Sequence, residues 1–165
     1  MIYRIRIILD VKEDVLRDIE IEESATLEDL HHSITQAFGF LGNEMASFYK
    51  SDEEWTQGEE LALESMDTAL PTYRDQALNT LFSASQHNLI YVYDFLNLWT
   101  FFVELMEVGE FVTGVVYPNL IHAQGEVPEE APEKLFESEG LNPSQENDFE
   151  EDDEELDEYD DSAFY

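Results

Sequence analysis

The last 40 residues of the chain hold 18 acidic side chains and a single base, Lys134, so nearly half of all the acid lies in a quarter of the length. A segment that repels itself and has little apolar surface to bury cannot offset the entropy lost on ordering, which confines the core to the residues before it. The boundary falls near Gly125. Residues 126–165 carry a formal charge of −17 and three of the five prolines (Pro128, Pro132, Pro143), against −16 spread over residues 1–125. Residues 148–161 are nearly all carboxylate, and the chain beyond Gln145 is expected to be disordered. One short helix is expected over residues 132–138, where Leu135 and Phe136 can dock back on the domain. As a flexible coil the tail would span roughly 35 Å from end to end.

The remaining length suits one domain with one core. Over the whole chain, 7 Lys and Arg face 40 Asp and Glu for a formal charge of −33. That balance argues against nucleic acid and anionic membrane as direct partners, because binding either requires cations that neutralise phosphate. The absence of cysteine excludes disulfides, thiolate metal sites and cysteine nucleophiles. Arg4 and Arg6 interrupt the first apolar stretch, so it does not read as a secretory signal, and no uncharged run is long and apolar enough to span a bilayer. A soluble, cytoplasmic protein is expected.

Within residues 1–125, Tyr3, Ile5, Ile7 and Leu9 alternate with Arg4 and Arg6, the period of a strand with one wet face. After a polar turn, Val15, Ile19 and Ile21 continue the pattern, which predicts an antiparallel hairpin. Thr26 then precedes Glu28 and Asp29, a capping hydroxyl before acidic first-turn residues. Leu27, Leu30, Ile34, Ala37 and Phe38 follow at helical spacing, and Gly39 stands where a helix stops. Strands are expected over residues 46–50, 88–95, 98–108 and 111–117, the last ended by Pro118, with a short apolar piece at 61–63 and a brief helix within 75–82. Residues 88–95 are apolar on both faces except for Asp94, which predicts a central strand joined to the next by a tight turn at Leu96 and Asn97. Leu30, Ile34, Phe38, Tyr93, Phe95, Trp99 and Val103 are expected to form the core between helix and sheet. The fold class is therefore α+β: an antiparallel or mixed β-sheet packed against one main helix, with a ββαβ start like that of a β-grasp and a disordered acidic tail.

Three blocks of sequence carry a family resemblance: Ile2-Tyr3-Arg4-Ile5-Arg6-Ile7; Thr26-Leu27 to Leu30-His31 with Ile34 and Ala37-Phe38-Gly39-Phe40; and Tyr91-Val92-Tyr93-Asp94-Phe95 to Trp99. Over roughly residues 1–130 the chain resembles the plasmid pRiA4b ORF-3-like family. The resemblance implies an α+β domain without an assigned biochemical role, some of whose relatives are encoded on plasmids or mobile elements. It also shows departures. Leu96 and Asn97 replace the family's usual Gly-Asp, and Phe101 stands where a histidine often follows the tryptophan. The loop with Pro118, Gly125 and Glu126 keeps the family's proline, glycine and acid but none of its cysteines. A metal or catalytic site built from those groups in relatives would have lost most of its parts here.

The residues themselves offer few candidates for chemistry. His31 and His32 are adjacent on the helix and so point about 100° apart, and His31 reads as a half-buried structural histidine at the edge of the apolar stripe. His87 and His122 have no partner at ligand spacing, so neither a metal nor a cofactor is expected. Neither a Gly-x-Ser-x-Gly elbow nor a Walker loop occurs. Asp94 needs a hydrogen bond or a cation if buried. The partner is a turn amide or a base such as Arg4, Arg6 or Arg74, unless the carboxylate serves a ligand. The candidate ligand-binding set is Asp94, Asn97, Trp99 and His122.

Two function classes follow. In one, the chain is a non-enzymatic protein-binding module whose acidic tail engages a basic protein. In the other, it is an enzyme or degenerate enzyme with a polar site near Asp94, Asn97, Trp99 and the 118–130 loop. The first is favoured because no nucleophile, base and orienting group can be assembled from the sequence. The oligomeric state is not encoded in any pattern found.

Overall fold

A computed structural model describes residues 1–64 and 71–132. The expected disorder beyond Gln145 and the expected helix over residues 132–138 lie outside the described residues, apart from Pro132. Among the described residues, seven strands and one α-helix follow in the order β1 (Ile2–Leu9), β2 (Leu16–Glu22), α1 (Leu27–Phe38), β3 (Ala46–Ser51), β4 (Gln57–Ala62), a 3-10 turn (Leu78–Thr80), β5 (Asn88–Tyr93), β6 (Trp99–Gly109) and β7 (Asn119–Gln124). They form one sheet in the order β4-β3-β5-β6-β1-β2-β7, antiparallel throughout. The chain is thus α+β with an antiparallel sheet, and β3 is separated from β1 by β5 and β6.

The helix forms where its caps and periodicity place it. Thr26 accepts a hydrogen bond from the Asp29 amide at 3.1 Å while the Asp29 carboxylate accepts one from the Thr26 amide at 2.9 Å, a complete capping box. The Leu27 and Glu28 amides, which have no partner within the helix, donate to the Gln76 and Arg74 carbonyls at 2.9 and 3.0 Å. This clamps the segment that carries Arg74 onto the start of α1. At the other end Gly39 takes the left-handed conformation at φ 83°, the stop expected of it.

A helix of this length spans about 18 Å, whereas seven strands side by side span about 29 Å, so α1 cannot cover the sheet alone. Other segments extend the cover. Phe40 packs its ring on Tyr93, Trp99 and Phe101, Phe82 meets Tyr3 edge-on at 5.7 Å, and Val127 and Ala131 lie against the same core. Beneath them Ile5, Ile7, Leu30, Ile34, Phe48, Tyr91, Phe101 and Val103 are completely buried. Ile34→Ala is expected to lower the free energy of unfolding by about 2–5 kcal/mol, read from denaturant midpoints. An unchanged midpoint would mean that this helix face is not the one packed.

The opposite face of the sheet is polar around β1. Arg6 makes a two-pronged bond to Asp18 at 2.8 and 2.9 Å, and Arg4 bridges Glu20 and Glu107, in the pairs that the β2-β1-β6 register sets opposite one another.

Two expectations are corrected. Phe95 does not join the core: β5 ends at Tyr93, Asp94 turns left-handed at φ 67°, and the Phe95 side chain is left exposed. Leu30, Ile34, Phe38, Tyr93, Trp99 and Val103 are buried together as expected. Residues 111–117 form no strand; they loop to a cis Tyr117–Pro118 bond, and the last strand is β7, beyond the proline. The 111–117 run is apolar, but no neighbour offers it a ladder, whereas residues 119–124 find β2.

Candidate functional site

Asp94 opens the turn between β5 and β6. Its amide donates to the Met45 carbonyl at 2.8 Å, and its carboxylate accepts from the Leu96 amide at 3.2 Å and from the Asn97 side-chain amide at 2.6 Å. Of the explanations open for this carboxylate, the turn amide is the one found, since Arg4 and Arg6 are paired on β1 and Arg74 lies elsewhere. Asp and Asn tolerate such turns because their short side chains mimic backbone acceptors and donors. Trp99 begins β6 and is buried against Phe40, with ring centroids 5.0 Å apart. His122 sits on β7 rather than in a loop and is exposed. Asp94 and Asn97 are therefore brought together with Trp99 close in the chain, while β6, β1 and β2 lie between β5 and the strand that carries His122.

Six of the thirteen residues in the 118–130 loop form strand β7. It is anchored by Gly125, at φ 81°, where a Cβ would stand 2.2 Å from the Asp14 carbonyl oxygen; only glycine fits against the β1–β2 turn.

A polar cleft of about 170 Å³ lies instead at the start of α1, lined by Glu28, His31 and His32, by the loop from Gly42 to Ala46, and by Leu63, Glu64 and Arg74. Arg74 is held over it through its backbone bond to Glu28. Its guanidinium lies 3.4 Å from the Glu28 carboxylate and 3.9 Å from that of Glu64, and His32 approaches Glu28 at 3.8 Å. The Arg74 Nε is buried and makes no hydrogen bond.

His31 reaches the sheet beneath the cleft, where its Nδ1 lies 2.5 Å from the Tyr91 hydroxyl. Burial, aided by the charges of His32 and Arg74, pushes His31 down to about 4, so it is neutral at pH 7. Burial likewise raises Tyr91, which stays protonated. Neutral His31 and protonated Tyr91 can share this hydrogen bond with either group as the donor. His31 is buried rather than half-buried as expected, and its ring lies only 4.9 Å from that of His32, with both lining one cleft.

The sequence reading missed Arg74, Glu28 and Glu64 as a group because loops far apart in the chain bring them together. The available signal was that Arg74 is the one base between Lys50 and Lys134. Chemically the cleft is an excess of carboxylate around one guanidinium and a neutral imidazole. Among the described residues no three His, Asp or Glu side chains are arranged to hold a metal ion.

Comparison with known proteins adds the fold and the family. A crystal structure of a protein of unknown function, MM3350 from Methanosarcina mazei Go1, is similar with a TM-score of 0.66 and 22% identity, covering 78% of this chain and 72% of that one. At that identity the likeness concerns the fold. No curated protein matches the chain. The capped helix, the aromatic β5–β6 hairpin and the isoleucine-rich first strand are the blocks in which the family resemblance was seen, and the family model for plasmid pRiA4b ORF-3-like protein matches residues 1–164, so the chain belongs to the plasmid pRiA4b ORF-3-like family.

Proposed function

We propose that the protein is a non-enzymatic binding module for basic protein surfaces, with the folded domain docking and the acidic tail supplying long-range attraction. The observation that carries this reading is where five of the six Lys and Arg side chains in residues 1–125 go. Arg4, Arg6, Arg74 and Lys50 lie against carboxylates of the same chain, and Arg17 donates to the Leu16, Ala37 and Gln124 carbonyls over the Phe38 ring. The remaining carboxylates far outnumber the bases, and the surface they leave is complementary to a cationic partner. Residues 126–165 add a further formal charge of −17. Charge of this kind speeds encounter and selects partners by sign more than it adds affinity.

Attraction between exposed charges acts over a Debye length of about 8 Å at physiological salt and weakens steeply as salt rises. The full chain and a form lacking residues 146–165 are to be titrated with poly-L-lysine and with a folded lysine-rich protein at low and high salt. The full chain is expected to bind more tightly at low salt and to lose about tenfold or more on raising it, with a shallower loss for the truncated form. Equal affinity for both forms at both salts would reduce the tail to a solubility device.

A further inference from the structure

We infer that β7 is a docking edge at which an extended, cationic segment of a partner protein adds as a further strand. The inference rests on the basic-protein reading and gives it a location.

The sheet ends at β7 on one side and at β4 on the other, and the two edges are built differently. β4, with the sequence Gln-Gly-Glu-Glu-Leu-Ala, carries two adjacent carboxylates, Glu59 and Glu60, a charged edge of the kind that deters strand addition. β7, Asn-Leu-Ile-His-Ala-Gln, carries no Lys, Arg, Asp, Glu or Pro. Its inner side pairs with β2 from Leu16 to Glu20, and among the described residues no strand pairs with its outer side. An antiparallel edge strand turns alternate amides and carbonyls outward, a template for another chain.

Exposed apolar side chains lie on β7 and on the segment that leads into it. Leu120 and Ile121 on β7 are 48% and 39% exposed, and Val108, at the end of β6 before the connecting loop, is 47% exposed. The loop between these strands adds Phe111, Val112 and Val116 at 56%, 54% and 82%. That loop is held in shape by the Phe111–Tyr117 ring contact at 5.5 Å and by the Val112 amide donating to the Tyr117 hydroxyl at 3.3 Å. Exposed apolar side chains this concentrated mark an interaction surface.

Charge chooses the occupant. A second copy pairing β7 with β7 would bring together two chains that each carry −33. A cationic segment is attracted instead, and exposed Glu126, Glu129 and Glu130 stand just past the end of the strand to meet it. Main-chain bonds would supply affinity, and alternate side chains would meet Leu120, Ile121 and the loop, as in other strand-addition complexes.

The test uses the full chain and a labelled, end-capped octapeptide alternating lysine and valine. Hydrogen exchange should slow at amides within residues 119–124 on adding the peptide. Methylating alternate backbone amides of the peptide, which leaves its charge intact, should weaken binding about tenfold or more, as should Leu120→Lys with Ile121→Lys in the protein. A glutamate–valine octapeptide should not bind. Binding that ignores backbone methylation and leaves β7 exchange unchanged would overturn the docking edge while the basic-protein reading stands. No binding of the lysine peptide at either low or high salt would sink both. Concentration-dependent protection of β7 without peptide, with dimers in sedimentation, would overturn the occupant in favour of a second copy.

Discussion

Phe101→Ala is expected to lower the free energy of unfolding by about 3–5 kcal/mol. Phe101 is completely buried in β6, opposite Leu9 of β1 and Tyr91 of β5. Its ring centroid lies 4.9 Å from that of Phe38, 5.4 Å from Tyr91 and 6.0 Å from Phe40. Truncation therefore removes contacts to the helix, to the neighbouring strand and to the loop after the helix at once. Three large rings around the void cannot all collapse into it, which puts the cost at the upper end for core truncations. Phe102→Ala is the control. Phe102 faces the other side of the sheet, packs on Trp55 at 5.0 Å and is only partly buried, so it should cost less than half as much. Urea unfolding of both variants decides it: equal midpoints would mean that the helix side of the sheet is not where stability resides.

The parts of the fold that were legible in the sequence are those where local chemistry and tertiary packing agree. Thr26, Asp29 and Gly39 announce α1 because capping is decided within one turn, and the capping box and left-handed stop are both present. Strands β1 and β6 were legible because buried residues alternate along them, and β5 because it is apolar and buried on both faces. Phe95 misled because its alternation continues past the point where Asp94 leaves the β region; the pair Asp94 and Asn97 is the better signal, since their side chains bond within the turn. Strand β7 was hidden for a different reason. An edge strand buries little, so residues 119–124 show no apolar period, while the more apolar 111–117 ends up exposed. The His31–Arg74 cleft was illegible because its geometry depends on backbone bonds from Leu27 and Glu28 to Gln76 and Arg74, a pairing no local pattern encodes.

The same cleft predicts how the protein responds to acid. Folded His31 takes its proton only near pH 4, against an ordinary value of 6.5, because it is buried beside the charges of His32 and Arg74. Between those two values the unfolded chain holds a proton that the folded chain does not. Stability from this group is thus complete above pH 6.5, falls as pH drops through the window, and is gone below 4. At about 1.4 kcal/mol per pH unit the window is worth about 3 kcal/mol, with little discount for solvent since His31 is 7% exposed. Tyr91, its hydrogen-bond partner, does not cancel the effect, because it is raised and stays protonated. Any carboxylate that gains a proton in the window relieves repulsion among like charges and so acts in the opposite direction. The comparison must therefore be made against His31→Asn, which does not ionise and places an oxygen where Nδ1 meets the Tyr91 hydroxyl. Urea unfolding at steps from pH 7 to pH 4 should show wild type losing about 3 kcal/mol more than the variant across the window. Parallel curves would mean that folded His31 takes up its proton as readily as the unfolded chain does, and that the imidazole is not sealed against Tyr91.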